Sequence, residues 1–587
     1  MGKIPVSLPL TVAPNRTSPS RRSRFHILAL PLVLSIAALV HLVRPHLRFG
    51  YDTCSHSQTT AGVFEESVRE GTWNQFDHDG QPPRVAIIGA GAGGSSAAYF
   101  LKHFSNLTSR NLTTEVTVYE RSPYIGGRST VLWPWVQDGQ DPYLSPTTGP
   151  DVDEDPIELG ASIFVAANKN LNKAVKEFNL VATAYGQDED GDTGVWDGEQ
   201  FVFKESGRGW WDKTKLLWRY GRSPFKVKAL VETTVASFVS LYTREFIASA
   251  SFPFTSIANF STAVNLLTPA SVSGSEYLAY SSVAPLFTNE LVSAATQVNY
   301  GTPIDEIHGV GALVSLAANG AVSVKGGNRQ IFEQFATRSE AKLQLDTTVK
   351  EIVQLDGDGT AASSRRKWLI KTESGQGGGV YDAVILAAPF HQTGISVPQL
   401  EHKFSPQPYV PLQVTIVLTN ASTPLASYFS LPPKTTVPTS IFSTFSTESN
   451  SKARFNSLNY LKPLPASIGI RFDPTNSSTV HVVKLFSKEL LSEIELEAIF
   501  GTNNVLRTIN KTWFAYPRLD PIVNPRKDLS PIRVSDDGFY YINAFERLIS
   551  TMETETVSAY NVVSLVLRDL FGYKPPTSWA EWDLHKH

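Results

Sequence analysis

The residues of this chain best equipped for chemistry lie between Gly89 and Arg128. Gly89-Ala90-Gly91-Ala92-Gly93-Gly94 is a turn whose backbone can touch a phosphate. Gly89 permits the tight turn, Gly91 has no side chain to hold a pyrophosphate away, and Gly94 lets a helix pack closely on the preceding strand. Glu120, further on, can accept hydrogen bonds from a ribose. Glycines that admit phosphate and an acid that takes ribose are the two halves of a dinucleotide site.

Three elements must hold these residues in place. Arg84-Val85-Ala86-Ile87-Ile88 reads as an apolar strand running into the turn, and Ser95 to Phe104 reads as a helix with a small first face. Glu115-Val116-Thr117-Val118-Tyr119 reads as a second strand ending at Glu120. The helix N-terminus offers unpaired N–H groups and a partial positive charge to an anion.

The next residues, Arg121-Ser122-Pro123-Tyr124-Ile125-Gly126-Gly127-Arg128, resemble the Glu-Arg…Gly-Gly-Arg extension of flavin oxidases of the amine-oxidase and glutathione-reductase superfamily. The resemblance implies that Gly127 passes close to the cofactor, that Arg128 neutralises the pyrophosphate, and that the cofactor is FAD and not a nicotinamide. Ile157 to Phe164 is similar to the segment running beside the flavin there, with Gly160, Ala161 and Ser162 against the ring. Three further segments resemble the same superfamily: Ala321 to Phe332, Leu343 to Ile352 (where the position of Val349 holds the adenine end), and Tyr381 to Pro389. In the block from Gly538 to Thr554, a strand over Phe539 to Ile542 leads past Glu546 to a helix. Ser550 and Glu553 have the spacing of a capping box at its start. Apolar residues from Ala559 to Leu570 predict one buried face, and Gly572 and Pro575 a stop. Met552 and Glu553 would then lie at a helix N-terminus aimed at the flavin, where N–H donors stabilise the negative charge of its reduced form.

Tyr-x-Asn-Ala-Phe-Glu…Ser-Thr-Met-Glu, combined with Glu-Leu-Gly-Ala-Ser and Ser-Val-Lys-Gly-Gly-Asn, resembles the prenylcysteine oxidase (prenylcysteine lyase) family of FAD-dependent thioether oxidases, from about Arg84 to Leu570. The resemblance implies oxidative cleavage of farnesyl- or geranylgeranyl-cysteine during degradation of prenylated proteins. A hydride leaves the isoprenoid carbon bonded to sulfur for the flavin, water attacks the sulfur-stabilised cation, and the adduct collapses to prenyl aldehyde and cysteine. Oxygen takes the electrons and gives hydrogen peroxide. This chemistry requires no protein acid or base, and the sequence assigns no catalytic residue. Two other readings stay open: an FAD-dependent amine or amino-acid oxidase or desaturase, and a non-catalytic lumenal glycoprotein.

The chain has 587 residues, of which 42% are apolar and 18% charged, with 32 Phe, 20 Tyr and 11 Trp. That is material for a large core and an apolar pocket, in more than one domain. A net charge of −3 argues against a nucleic-acid partner. The acids Asp151, Asp153, Glu154 and Asp155 read as a solvated turn, and no metal site is expected. Residues 25–43 form an apolar run about 28 Å long as a helix, close to the ~30 Å of a bilayer core. Lys3, Arg16, Arg21, Arg22 and Arg24 precede it, so a signal-anchor with a cytosolic N-terminus is expected. The alternative is a cleaved signal peptide and secretion. Either puts the remainder on the lumenal side of an endomembrane (lysosome, vacuole or secretory pathway) or outside. Candidate glycosylation sites there are Asn106, Asn111, Asn259, Asn420, Asn476 and Asn510, and Cys54 is the single cysteine.

The expected fold class is α/β, with a Rossmann-like FAD-binding domain assembled from discontinuous segments and an inserted α+β substrate domain. In chain order this predicts a cytosolic tail (1–24), a transmembrane helix (25–43), a linker (44–83), FAD-binding segments (84–165, 311–395 and 536–587) and substrate-domain segments (166–310 and 396–535).

Overall fold

The computed structural model describes residues 81–108, 112–147, 151–184, 192–206, 209–356, 366–444, 453–475 and 478–573. The expected anchor over 25–43, Cys54, Asn111 and Asn476 lie outside the described residues. Among those residues, no helix is long and apolar enough to cross a membrane.

The nucleotide-binding unit forms where the pattern places it. Strand β1 (Arg84–Ile88), helix α1 (Ala92–Asn106) and strand β2 (Glu115–Tyr119) follow one another. The next elements in chain order are α2 (Lys169–Glu177), β3 (Thr193–Trp196), β4 (Phe201–Lys204), α3 (Gly209–Tyr220) and α4 (Ser223–Val239). They are followed by β5 (Lys342–Gln344), β6 (Ala383–Leu386), β7 (Tyr409–Thr419), β8 (Ser440–Ser443), β9 (Ser457–Pro463), β10 (His481–Ser487) and β11 (Val505–Pro517). The last are β12 (Arg533–Ser535), β13 (Phe539–Tyr541) and α5 (Met552–Phe571).

A six-stranded sheet has the order β12-β13-β6-β1-β2-β5, with every pairing parallel except the outer β12–β13 pair. Val85, Ala86 and Ile87 are fully buried, as a continuous apolar run in a sheet covered on both faces must be. Three distant stretches of chain thus share one sheet, with its central strands leading toward Gly89 and Ala387.

A seven-stranded sheet, β11-β7-β10-β9-β8-β3-β4, forms the second body. Its pairings are antiparallel except β8 with β3. Along β7, Val414, Ile416 and Leu418 join a core with Trp133 and Trp135, while Val417 joins another with Trp196 and Phe429. Both faces of this strand are therefore covered, which is why Ile416-Val417-Leu418 departs from the alternation of Leu412-Gln413-Val414-Thr415.

Helix α5 differs from the expected one-faced helix. Every residue but Arg568 and Phe571 is buried. Its polar side chains are accommodated by bonds: Ser558 Oγ donates to the Ile542 carbonyl (2.7 Å), and the Asn561 amide pairs with both the N–H and the carbonyl of Phe254 (2.8 and 2.7 Å). Helix α2, taken from sequence as part of the inserted domain, contributes Leu171, Ala174 and Val175 to the same core as β1 and α5. The helical spacing that runs from Lys226 to Ser249 does not make one helix, because α4 ends at Val239 before a short 3-10 turn. The solvated acidic turn is also corrected: Asp151 is buried and ion-paired with Arg471, and Glu154 pairs with Lys462. Those pairs pin the loop to the second body.

Candidate active site

One cavity of about 1210 Å³ runs between the two bodies, lined at one end by Gly89, Gly91, Gly93 and Glu120 and at the other by Phe238, Phe442 and Phe486. Single-ligand pockets are usually ~300–1,000 Å³, so there is room for a cofactor and a substrate together.

At the phosphate end, close backbone approach is visible. Gly89 sits at φ +106°, and a Cβ there would lie 2.6 Å from the Ala387 carbonyl oxygen. The Gly126 amide donates to the Ala90 carbonyl (3.0 Å), laying the second glycine pair beside the first. Gly91 and Gly127 face each other across a space that side chains would fill. One Glu120 oxygen accepts from the Ala90 amide (2.8 Å), the other from the Ser122 amide (2.8 Å). This carboxylate therefore braces the turn and keeps further lone pairs for a ribose. Arg121 is exposed at the rim, and Val349 lines the cavity near the loop where the Thr347 amide donates to the Glu120 carbonyl (2.8 Å).

Arg128 and Glu546 meet as an ion pair, with Arg128 partly open to the cavity and Glu546 fully buried. Tyr409 Oη donates to Glu546 (2.5 Å), and the Asn543 amide donates to both Glu546 (2.6 Å) and Glu555 (3.1 Å). Glu555 is pushed well above the carboxylate range, by burial first and then by the neighbouring Glu546 charge. Burial therefore favours its protonated form, and its second oxygen has no partner among the described residues. It lies against Gly93, where a Cβ would stand 3.1 Å from its oxygen.

In the middle of the cavity, Gly160, Ala161 and Ser162 line one wall. Ala161 takes a left-handed φ of 54°, and the Asn328 amide holds its carbonyl (2.9 Å). A Cβ at Gly160 would meet the Trp513 ring at 2.9 Å, so indole occupies that space. Trp513 Nε1 is buried with no acceptor among the described residues. Lys484, also buried, lines the cavity and donates to the Glu158 carbonyl (2.9 Å).

The α5 N-terminus closes this region, but its cap differs from the expected Ser550–Glu553 pair. Thr551 is the N-cap and exchanges bonds with Thr554. Glu553 instead crosses to α2, accepting from the Asn170 and Leu171 amides (2.8 and 3.0 Å) and from Tyr242 Oη. It is committed to capping another helix. Ser550, Thr551 and Met552 line the cavity. Sequence reasoning missed Tyr409, Lys484, Trp513, Asn543 and Glu555. A lysine inside the apolar run His481–Ser487 was a readable signal for one of them. Of the sequon asparagines, Asn106, Asn259 and Asn510 are exposed and Asn420 is half-buried. Among the described residues, no cluster of His, Cys, Asp or Glu could hold a metal ion.

Buried ionisable groups set a pH dependence. Burial pushes Glu553 up to about 7 and Glu158 up to about 8. Burial also lowers His308 to about 4 while its Nδ1 accepts from the Gly311 amide (3.0 Å). Raised carboxyls stabilise the fold fully below their unfolded pKa, and that contribution is lost as pH climbs through about 7 and 8. The depressed histidine acts in the opposite sense, its contribution present above about 6.5 and lost as pH falls through about 4. Thermal unfolding should therefore show a melting temperature several degrees higher near about pH 6 than near about pH 8.5, and higher still near about pH 5, where the two raised carboxyls outweigh the one histidine. A profile flat from neutral to alkaline pH would contradict these assignments.

Comparison with known proteins agrees with this geometry. A family profile described as prenylcysteine lyase matches residues 203–574, and one for a NAD(P)-binding Rossmann-like domain matches residues 87–178. The chain is 27% identical to farnesylcysteine lyase of Arabidopsis thaliana over 508 residues, covering 83% of this chain and 89% of that protein. It is 26% identical to prenylcysteine oxidase 1 of Homo sapiens over 505 residues, covering 84% and 90%. Among solved structures, cyclohexylamine oxidase from Brevibacterium oxydans superposes with a TM-score of 0.51 at 14% identity, over 84% of this chain and 100% of that one, a likeness of fold alone. With a profile match extending over residues 203–574, from β4 past the end of α5, the chain belongs to the prenylcysteine lyase family.

Proposed function

We propose that this chain is an FAD-dependent oxidase that cleaves the thioether of farnesyl- or geranylgeranyl-cysteine with oxygen and water, releasing prenyl aldehyde, cysteine and hydrogen peroxide. The observation that carries this reading is the continuity of one cavity from phosphate-admitting glycines, past a helix N-terminus, to an apolar aromatic end. The names of the relatives supply the substrate class.

The site's residues suit FAD. Gly91 and Gly127 leave a side-chain-free cradle for a pyrophosphate, and Glu120 stands where an adenosine ribose would follow. Arg128 balances phosphate charge, and the protonated Glu555 offers a hydrogen to an acceptor beside Gly93. At the other end, the amides of Met552 and Glu553 lead α5 without acceptors among the described residues, so they can donate to the pyrimidine edge of a flavin. The Trp513 ring, whose Nε1 is orphaned, lies beside Gly160 in the same cavity. A bound flavin supplies two-electron oxidation of the C–H bond next to sulfur, with oxygen as the final acceptor.

The chain's own part is positioning and drying. Phe238, Val235 and Phe442 line the end suited to an isoprenoid, where each buried methylene contributes about 0.8 kcal/mol. Lys484, with its Nζ 5.2 Å from the Phe486 ring centre, sets an amine among the aromatic lining, as a partner for a cysteine carboxylate. On location, the basic N-terminal tail, the apolar run over 25–43 and acid-favoured carboxyls support a membrane-anchored enzyme on the lumenal side of an acidic endomembrane compartment.

Peroxide release tests the reading. Flavin-loaded protein given farnesylcysteine should release hydrogen peroxide and farnesal in equal amounts, and polyamines or free amino acids should give none. Silence with both prenylcysteines, from protein whose flavin spectrum is intact, would overturn the substrate assignment.

A further inference from the structure

Both tryptophans that stand exposed among the described side chains are on α3. Trp218 is 91% exposed, and Trp211 lies seven positions earlier on the same helical face, 45% exposed. Leu217 and Phe225 are exposed beside them, and a neighbouring segment adds Tyr280 and Leu286. Three contacts fasten that segment to the α3–α4 corner: Arg219 pairs with Glu290, Lys226 Nζ donates to the Ser282 carbonyl (2.6 Å), and the Ala284 amide donates to Ser223 Oγ (2.9 Å). These apolar side chains therefore belong to a single surface.

The surroundings of this surface carry a basic excess. Between Trp211 and Lys228 the chain has Lys213, Lys215, Arg219, Arg222, Lys226 and Lys228 against one acid, Asp212. Lys215 pairs with Asp212, Arg219 with Glu290 and Lys228 with Glu232, which leaves the charges of Lys213, Arg222 and Lys226 in excess. This local excess opposes a chain whose net charge is −3. A protein-binding patch is typically depleted of lysine at its core, whereas exposed tryptophan among lysines and arginines suits the headgroup region of an anionic bilayer. Fold geometry adds a reason for the placement. Helix α4 begins at this corner with Phe225 and lines the cavity further along with Thr234, Val235 and Phe238.

We infer that the α3–α4 corner is a membrane-docking surface that seats Trp218 and its neighbours among the headgroups of an anionic phospholipid bilayer, setting the cavity's apolar end beside the lipid. The surface is read from exposure and charge and does not depend on the substrate. The role of α4 as a path for a prenyl chain rests on the proposed function.

The test uses the full chain reconstituted in nanodiscs of phosphatidylcholine alone or mixed with phosphatidylserine. Hydrogen exchange over residues 211–228 should slow severalfold in the mixed discs, and brominated acyl chains should quench tryptophan fluorescence more strongly there. Trp218→Ser and Arg222→Glu, both at exposed positions, should abolish that difference while leaving the melting temperature unchanged. Exchange unaffected by phosphatidylserine would overturn the inference. So would protection that follows protein concentration instead of lipid composition, which would identify a second copy of the chain as the occupant. Neither measurement reads turnover, so failure of the peroxide assay with intact lipid-dependent protection would count against the substrate and not against the surface.

Discussion

Gly94→Ala should yield colourless protein. A Cβ at Gly94 would lie 1.9 Å from the Gly89 carbonyl oxygen, 3.0 Å from its carbon and 3.2 Å from the Ala387 Cβ. None of these is the end of a flexible side chain, so α1 must move away from β1. Overpacking of this kind costs about 1–3 kcal/mol, and here it also displaces the amides of the phosphate turn. The melting temperature should fall by several degrees, far-UV circular dichroism should stay native, and the flavin absorption bands should be absent from purified protein. Gly91→Ala separates the two effects. Its Cβ would have only Gly127 Cα at 3.8 Å and the Gly126 oxygen at 4.0 Å nearby, so the apoprotein should melt as the parent does. The methyl group would still stand in the cradle and should prevent flavin uptake. A yellow Gly94→Ala protein, or full flavin loading in Gly91→Ala, would show that this turn does not hold the cofactor.

What the sequence disclosed and what it concealed divide by the distance between partners. Gly89, Gly91 and Gly94 were legible because their task is set by neighbours in the same turn, and the Val85–Ile88 run marks a buried parallel strand by itself. The cap of α5 was misjudged by one residue because Ser550-x-x-Glu553 and Thr551-x-x-Thr554 overlap. The choice between them depends on the amides of Asn170 and Leu171, more than 380 positions away. No local pattern announces such a partner. The same holds for Asp151, which pairs with Arg471, and for Arg128, which pairs with Glu546. Trp513 was hidden in another way. It belongs to an alternating stretch of β11 in which odd-numbered residues from Lys511 to Ala515 are more buried than the even ones, and only the sheet packing shows which side is covered.

Arg128→Ala should both weaken the fold and loosen the cofactor, and the two losses can be measured apart. Glu546 is fully buried, and in the variant it would keep Tyr409 and Asn543 as donors but lose its only ion-pair partner among the described residues. Breaking a buried pair by removing one member costs about 3–5 kcal/mol, with the lower end expected here because Arg128 is 30% exposed to the cavity. The apoprotein should therefore melt several degrees lower. Flavin affinity should drop roughly 10- to 100-fold, the range for losing a hydrogen bond to a charged group. Arg128→Met combined with Glu546→Gln removes both charges, and it should restore most of the melting temperature without restoring affinity. Recovery of both in the double variant would mean that Arg128 serves only Glu546 and that phosphate charge is balanced elsewhere. Unchanged stability in Arg128→Ala would mean instead that the pair does not hold the fold together.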